Sequence, residues 1–218
     1  MHATITTWSL IPDVGDAGAV RVLFTDMVAQ NLAVGLELGP LDAILLHLPP
    51  DQVVAIAIYA NVTDAHKAGI VAAPRIAADF GQTLRPVRRD VGQLLTAVLP
   101  HETELGWRAH VAEMHATWAI WRVAPHLRAA GALERFVREG YERFASMVRQ
   151  LGLIDMLMIR LPDDELAILN LYADPVVGRA AYAEAVTAVA DYTEGHMERI
   201  AAYTGRAFDL AMLLGRAA

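Results

Sequence analysis

Hydrophobic positions along this chain switch between a period of two and a helical period, and the order of the switches occurs twice. His2 to Ile11 is rich in Thr, Ile, Trp and Leu and is closed by Pro12, which predicts a strand. From Ala19 to about Gly35, residues Val20, Leu23, Phe24, Met27, Val28 and Asn31-Leu32 recur at helical spacing, with Asp13 or Asp16 as cap and Gly35 and Gly39-Pro40 bracketing the exit. Leu41–Leu48 and Val53–Ala60 flank the turn Pro49-Pro50-Asp51-Gln52 and read as a hairpin. Asn61 or Thr63 then caps a helix over residues 64–81, kinked near Pro74, and a last strand lies within residues 85–99, closed by Pro100.

The same order returns further on. Residues 115–124 predict a strand and Ala129 to Gln150 a helix with an inward stripe of Leu133, Phe136, Val137, Phe144, Met147 and Val148. Leu153–Leu161 and Glu165–Ala173 form a second hairpin around Pro162-Asp163-Asp164. Asp174-Pro175 starts a helix running to about Glu198, and residues 202–214 give a last strand. Met114-His115-Ala116-Thr117 repeats Met1-His2-Ala3-Thr4 letter for letter. The same ungapped offset brings Trp8 onto Trp121, Pro12 onto Pro125, Tyr59-Ala60 onto Tyr172-Ala173 and Gly92 onto Gly205. A repeat this long is two copies of one compact unit. Each copy reads β-α-β-β-α-β, the ferredoxin-like order. The expected organisation is therefore α+β, with modules at residues 1–100 and 114–218 joined by a polar connection at 101–113. Apolar residues on both parities of the strands, as in Leu166 to Ala173, require both sheet faces to be covered, so the modules are expected to cover one another or to share a barrel.

Composition narrows the function. Hydrophobic residues make up 55% and charged residues 20% of 218 residues, which favours a large apolar interior or an oligomer surface and leaves room for a homodimer of the whole chain. A formal charge of -7 gives no electrostatic case for nucleic acid or an anionic membrane. The absence of cysteine excludes disulfides and thiolate metal sites. No leader pattern and no long uncharged apolar run are legible, so a cytoplasmic location is expected. There is no Gly-rich phosphate loop, dinucleotide fingerprint or Ser elbow, and no convincing metal-ligand spacing, so neither cofactor nor metal is expected.

The candidate site residues are polar or aromatic groups at repeated strand positions. Asn170 is an amide in an apolar strand and must find partners or cost stability. Tyr172 and Tyr59 end equivalent strands, where a hydroxyl could bond a substrate oxygen or simply line the core. His115 and His2 open equivalent strands and have the pKa range for proton abstraction. Trp121 and Trp8 could wall a flat aromatic ligand or pack between sheet and helix, and Trp118 adds aromatic bulk on the opposite parity.

On these residues the unit resembles the antibiotic biosynthesis monooxygenase-like family of small dimeric α+β barrels. In that family the third strand often ends in a Glu-x-Trp-like pattern. The matching stretches here are Asn170-Leu171-Tyr172 and Ala57-Ile58-Tyr59. The family's histidine near the middle of the second helix has no clean match, Arg75 or His66 lying nearest. The resemblance covers nearly the whole chain as two fused copies and implies an intramolecular dimeric α/β barrel. It also implies cofactor-independent oxygenation of an aromatic polyketide-like or quinol substrate. In that scheme a histidine such as His115, or a tyrosine, takes the phenolic proton, Asn170 and Tyr172 hold the oxyanion, and Trp118 and Trp121 exclude water. Tyr59, Trp8 and Arg75 are carried as substrate contacts. The alternatives are a non-enzymatic small-molecule-binding or structural barrel, and a haem-binding or haem-degrading protein, which the family also contains.

Overall fold

Short polar side chains set the starts of the helices. In a computed structural model that describes residues 1–11, 16–95 and 114–209, Asp16 caps α1 (Ala17–Leu38), its carboxylate accepting from the amides of Gly18 at 2.7 Å and Ala19 at 2.9 Å. Asn61 caps α2 (Val62–Phe80) by accepting from Asp64 N at 2.9 Å while its amide donates to the Asp64 carboxylate at 2.7 Å. Pro74 is accommodated within α2 without ending it. Asp174 caps α4 (Pro175–Thr193) through the amides of Val176 and Val177, with Pro175 at the first turn. The remaining helix, α3 (Ala132–Gln150), follows a 3-10 turn at Pro125–Leu127.

The strands are β1 (His2–Leu10), β2 (Asp42–Leu48), β3 (Gln52–Tyr59), β4 (Leu84–Leu94), β5 (Met114–Val123), β6 (Leu153–Leu161), β7 (Glu165–Tyr172) and β8 (Met197–Asp209). They pair in the order β1-β3-β2-β8-β5-β7-β6-β4 and close on themselves. This corrects the expected tandem of ferredoxin-like modules forming an α/β barrel: the described chain is a closed eight-stranded antiparallel barrel with four α-helices. The last strand shows why. It runs for 13 residues, and its end, Arg206–Asp209, pairs with Ile44–His47 of β2, far back in the sequence. An unpaired strand edge is costly, and the side-chain pattern that defined the modules says nothing about which chain satisfies that edge. Gly205 permits the approach, because a Cβ there would lie 2.0 Å from the His47 carbonyl oxygen.

Among the described residues, one compact unit holds residues 1–93 and 205–209 and another holds residues 94–95 and 114–204. In the first, β1 pairs with β3 from His2↔Tyr59 to Ser9↔Gln52, and its register against β4 shifts at Thr7/Trp8. Trp8, Leu45, Val53, Leu84 and Phe208 of the sheet pack on Val20, Leu23, Phe24, Met27 and Val28 of α1. Phe24 meets Phe208 edge-on at 5.5 Å. In the second, β5 pairs with β7 from His115↔Tyr172 to Arg122↔Glu165, and β6 covers the other edge of β7. Val123, Leu127, Leu133, Phe136, Val137 and Leu166 form its core. Leu41 enters β2 through a bond to Ile58, and Asp42 and Asp155 each accept from the next residue's amide. The expected connection at 101–113, the alternative cap Asp13, Pro12, Pro100 and the expected strand end at 210–214 lie outside the described residues. No described helix is long and apolar enough to cross a membrane.

Candidate functional site

In the second unit, the helical stripe of α3 and the helix-facing parity of the sheet do not close completely on one another. Phe136, Val137, Gly140, Tyr141 and Phe144 recur on one face of α3, and Val189, Tyr192 and Thr193 do so on α4. Opposite them stand Trp121 of β5, Met156 and Met158 of β6, Leu166 and Ile168 of β7 and Met197 of β8. Together these residues enclose about 120 Å³, partly open to solvent. An engineered apolar cavity of roughly 150 Å³ holds benzene, so this space accommodates one aromatic ring, and a larger molecule would have to protrude. Gly140 lets α3 approach α4. A Cβ there would come within 2.7 Å of Tyr192 Cε1, and Tyr192 in turn stacks on Phe136 with ring centroids 4.6 Å apart.

Nearly all the wall is hydrocarbon, sulfur or ring, so its few polar atoms decide what it can recognise. Tyr192 donates to the Phe136 carbonyl oxygen at 2.7 Å, and burial pushes its phenol pKa up. Thr193 donates to the carbonyls of Val189 and Ala190, each at 3.1 Å. Trp121 differs: its Nε1–H is buried and meets no acceptor among the described residues. The Arg199 guanidinium lies 5.8 Å from the centre of the Trp121 ring. A buried donor left unmatched costs about 1–3 kcal/mol.

The other sequence candidates divide by strand parity. Alternate residues share a face, so His115, Thr117 and Trp121 of β5 lie with Leu166, Ile168, Asn170 and Tyr172 of β7 on the helix side. Trp118 lies on the opposite face and is buried. Asn170 donates to Thr117 Oγ1 at 3.0 Å across the Thr117↔Asn170 pair. It sits directly beside the cavity residue Met156 without itself lining the space. Tyr172 is buried, and that burial pushes its phenol up to about 12. His115 is buried beneath the first turn of α4, where a Cβ on Gly178 would stand 2.4 Å from its Cδ2. The His115 and Tyr172 rings are 6.4 Å apart. These three residues thus form a polar row running away from the cavity.

In the first unit Trp8 is 1% exposed and fills the helix–sheet core. Tyr59 is buried and bonded to Thr4, and burial raises its pKa. Arg75 stands exposed on α2 with Asp79 at 3.8 Å. His2 is half-buried, and burial together with the terminal amine and His66 lowers its pKa. Gly140, Tyr141, Tyr192 and Thr193 were not singled out as site residues by sequence. The available signal was a Gly-Tyr pair inside an amphipathic helix, and it reads equally well as core.

No family model matches this chain, and none of the curated proteins matches it. Solved structures do. The chain is similar to a candidate monooxygenase of Fusobacterium nucleatum, at 11% identity over 96% of this chain and 92% of that one, with a TM-score of 0.57. It is similar to a haem-binding protein of Thermus thermophilus, at 11% identity over 99% and 94%, with a TM-score of 0.58. It is likewise similar to chlorite dismutase of Candidatus Nitrospira defluvii in complex with imidazole, at 10% identity over 99% and 94%, with a TM-score of 0.55. Other similar structures carry the names anthrone oxidase-like protein and, from Lactobacillus acidophilus, candidate monooxygenase. At such identities the likeness establishes a shared fold and nothing finer.

Haem, which the name of the Thermus thermophilus protein carries, does not fit the cavity. The space falls short of the several hundred Å³ usual for large ligands, and no histidine stands among its described lining residues. Among the described residues no cluster of three or more metal-ligating side chains occurs.

Proposed function

We propose that this protein binds a small, flat, largely apolar molecule bearing a hydrogen-bond-accepting oxygen, held between α3, α4 and the sheet of the second unit. The observations that carry this reading are the largely apolar cavity and, in Trp121 of its lining, an indole N–H without an acceptor among the described residues. A phenol, quinol or quinone ring supplies what the wall lacks: a face for Phe136, Tyr192 and the methionines, and one oxygen for the indole. Burial of the ring provides the affinity and the single hydrogen bond fixes its orientation.

A second reading adds chemistry to binding, namely cofactor-independent oxygenation of a quinol or anthrone. Its support is the fold shared with a candidate monooxygenase and an anthrone oxidase-like protein. Further support is the polar row Asn170, Thr117, Tyr172 and His115 that continues from the cavity along the same sheet face. In such a reaction the substrate anion transfers electrons to dioxygen, one oxygen atom becomes the new carbonyl and the other leaves as water. Trp121 would hold the substrate oxygen. Tyr172, protonated throughout the neutral range, could act as a donor and not as a base.

The two readings separate by experiment. Titration with 1,4-naphthoquinone, followed by tryptophan fluorescence, should show saturable binding. Trp121→Phe keeps the ring and loses the donor, and should weaken binding about 5- to 10-fold, the worth of one hydrogen bond. Equal affinity in both proteins removes the assignment. Oxygen uptake with an anthrone, lost in Asn170→Ala and Tyr172→Phe, would add the oxygenase reading. Uptake unchanged in both variants, or none at all, would leave a binding protein. A Soret band on haem titration would overturn the account of the cavity.

A further inference from the structure

Outside the cavity, two histidines distant in sequence meet on one side of the second unit. His126 stands in the 3-10 turn Pro125–Leu127, and His196 follows Gly195 (φ 73°) between α4 and β8. His126 Nε2 lies 2.8 Å from His196 Nδ1, with the rings steeply inclined at 68°. Their backbones are tied together, since Ala124 N–H donates to the His196 carbonyl at 2.9 Å and His196 N–H donates to Thr193 O at 3.0 Å. The buried Leu127 anchors the turn that carries His126. The His196 ring rests on Phe136, centroids 5.0 Å apart.

We propose that His126 and His196 form a two-histidine site for a divalent transition metal, Cu²⁺ foremost, with Ni²⁺ and Zn²⁺ weaker. Two imidazole nitrogens each about 2.0–2.1 Å from one ion stand about 3 Å apart, close to the spacing already present. His196 is held by backbone bonds and by Phe136, so ordering one ligand costs little, while the exposed His126 can turn its Nε2 lone pair onto the ion. In the metal-free pair, one nitrogen must donate a proton to the other. Binding replaces that hydrogen bond with two coordinate bonds, and water fills the remaining positions. With imidazole as the protein's donor, affinity follows the usual order in which Cu²⁺ exceeds Ni²⁺ and Zn²⁺. The chain contains no cysteine to compete for the ion.

The test uses the full chain and CuCl₂ alone, with binding read by calorimetry and by the nitrogen hyperfine pattern in electron paramagnetic resonance. One equivalent coordinated by two histidine nitrogens is expected. His126→Ala, at an exposed position, should remove that equivalent while leaving the melting temperature unchanged, and His196→Gln should do the same. His2→Ala and His66→Ala should retain it. Retention of the signal in His126→Ala, or its loss in His2→Ala, overturns the proposal by placing the ion elsewhere. Absence of any bound equivalent in the wild-type chain also overturns it.

Discussion

Replacing Gly205 by alanine probes the contact through which β8 joins β2. The added Cβ would stand 2.0 Å from the His47 carbonyl oxygen, 2.9 Å from its carbon and 3.1 Å from Leu48 Cα. All three are backbone atoms, so no side-chain rotation relieves the overlap and the two strands must separate. Forced overpacking of this kind costs about 1–3 kcal/mol. If the strand end detaches instead, the pairs Ile44↔Asp209 to His47↔Arg206 are lost, and Phe208, 1% exposed against Phe24, leaves the core. Loss of a buried phenylalanine costs about 3–5 kcal/mol, which caps the effect. Urea unfolding of Gly205→Ala should therefore lose about 1–3 kcal/mol, a large share of the 5–15 kcal/mol typical of a folded protein. Hydrogen exchange at residues 206–209 should accelerate more than in the rest of the chain. Gly35→Ala is the matched control. It lies inside α1 with nothing within 4 Å of the new Cβ, so helix propensity should raise stability by about 0.5–1 kcal/mol. A Gly205→Ala midpoint equal to wild type, with unchanged m-value, would refute the β2–β8 register.

Two other perturbations follow from buried groups. His47 is 4% exposed, and burial followed by the nearby Arg206 lowers its pKa from the ordinary 6.5. Above pH 6.5 both folded and unfolded states keep it neutral, but on acidification the unfolded chain takes the proton first. Stability should thus fall as pH drops through 6.5 and level off below the folded pKa, with a slope of at most about 1.4 kcal/mol per pH unit. His47→Gln should flatten that region of the urea-stability profile, and an unchanged slope would count against the burial argument. Gly178→Ala should destabilise α4 by about 1–3 kcal/mol because its Cβ strikes His115 Cδ2 at 2.4 Å. His115→Ala should recover most of that loss in a double-mutant cycle, whereas additive losses would place the histidine elsewhere.

Much of the element order was legible because local rules govern it. Asn61 and Asp174 announced their helices, and the Tyr59 and Tyr172 strand ends fall at equivalent registers opposite His2 and His115. Trp121 was expected either to wall a flat ligand or to pack between sheet and helix, and it borders the cavity between them. Its unmatched indole was not legible, since satisfaction of a donor depends on distant elements. Strand closure was missed for the same reason, because side-chain period does not reveal which edge accepts Arg206–Asp209. The helix expected to reach Glu198 ends at Thr193, where Gly195 takes positive φ. That single turn moves His196 from a helix face to the side of His126. Arg75, chosen for its place in a family pattern, stands exposed on α2 because Asp79 one turn onward and solvent satisfy it.

The most direct measurement of the central claim is the indole N–H resonance of Trp121 in ¹⁵N-labelled protein, assigned by its loss in Trp121→Phe. On titration with 1,4-naphthoquinone, that resonance alone among the described tryptophans should shift downfield as its donor gains an acceptor, saturating with the fluorescence isotherm. The Trp8 and Trp118 resonances should stay still. A ligand that binds while the Trp121 resonance does not move would contradict the account.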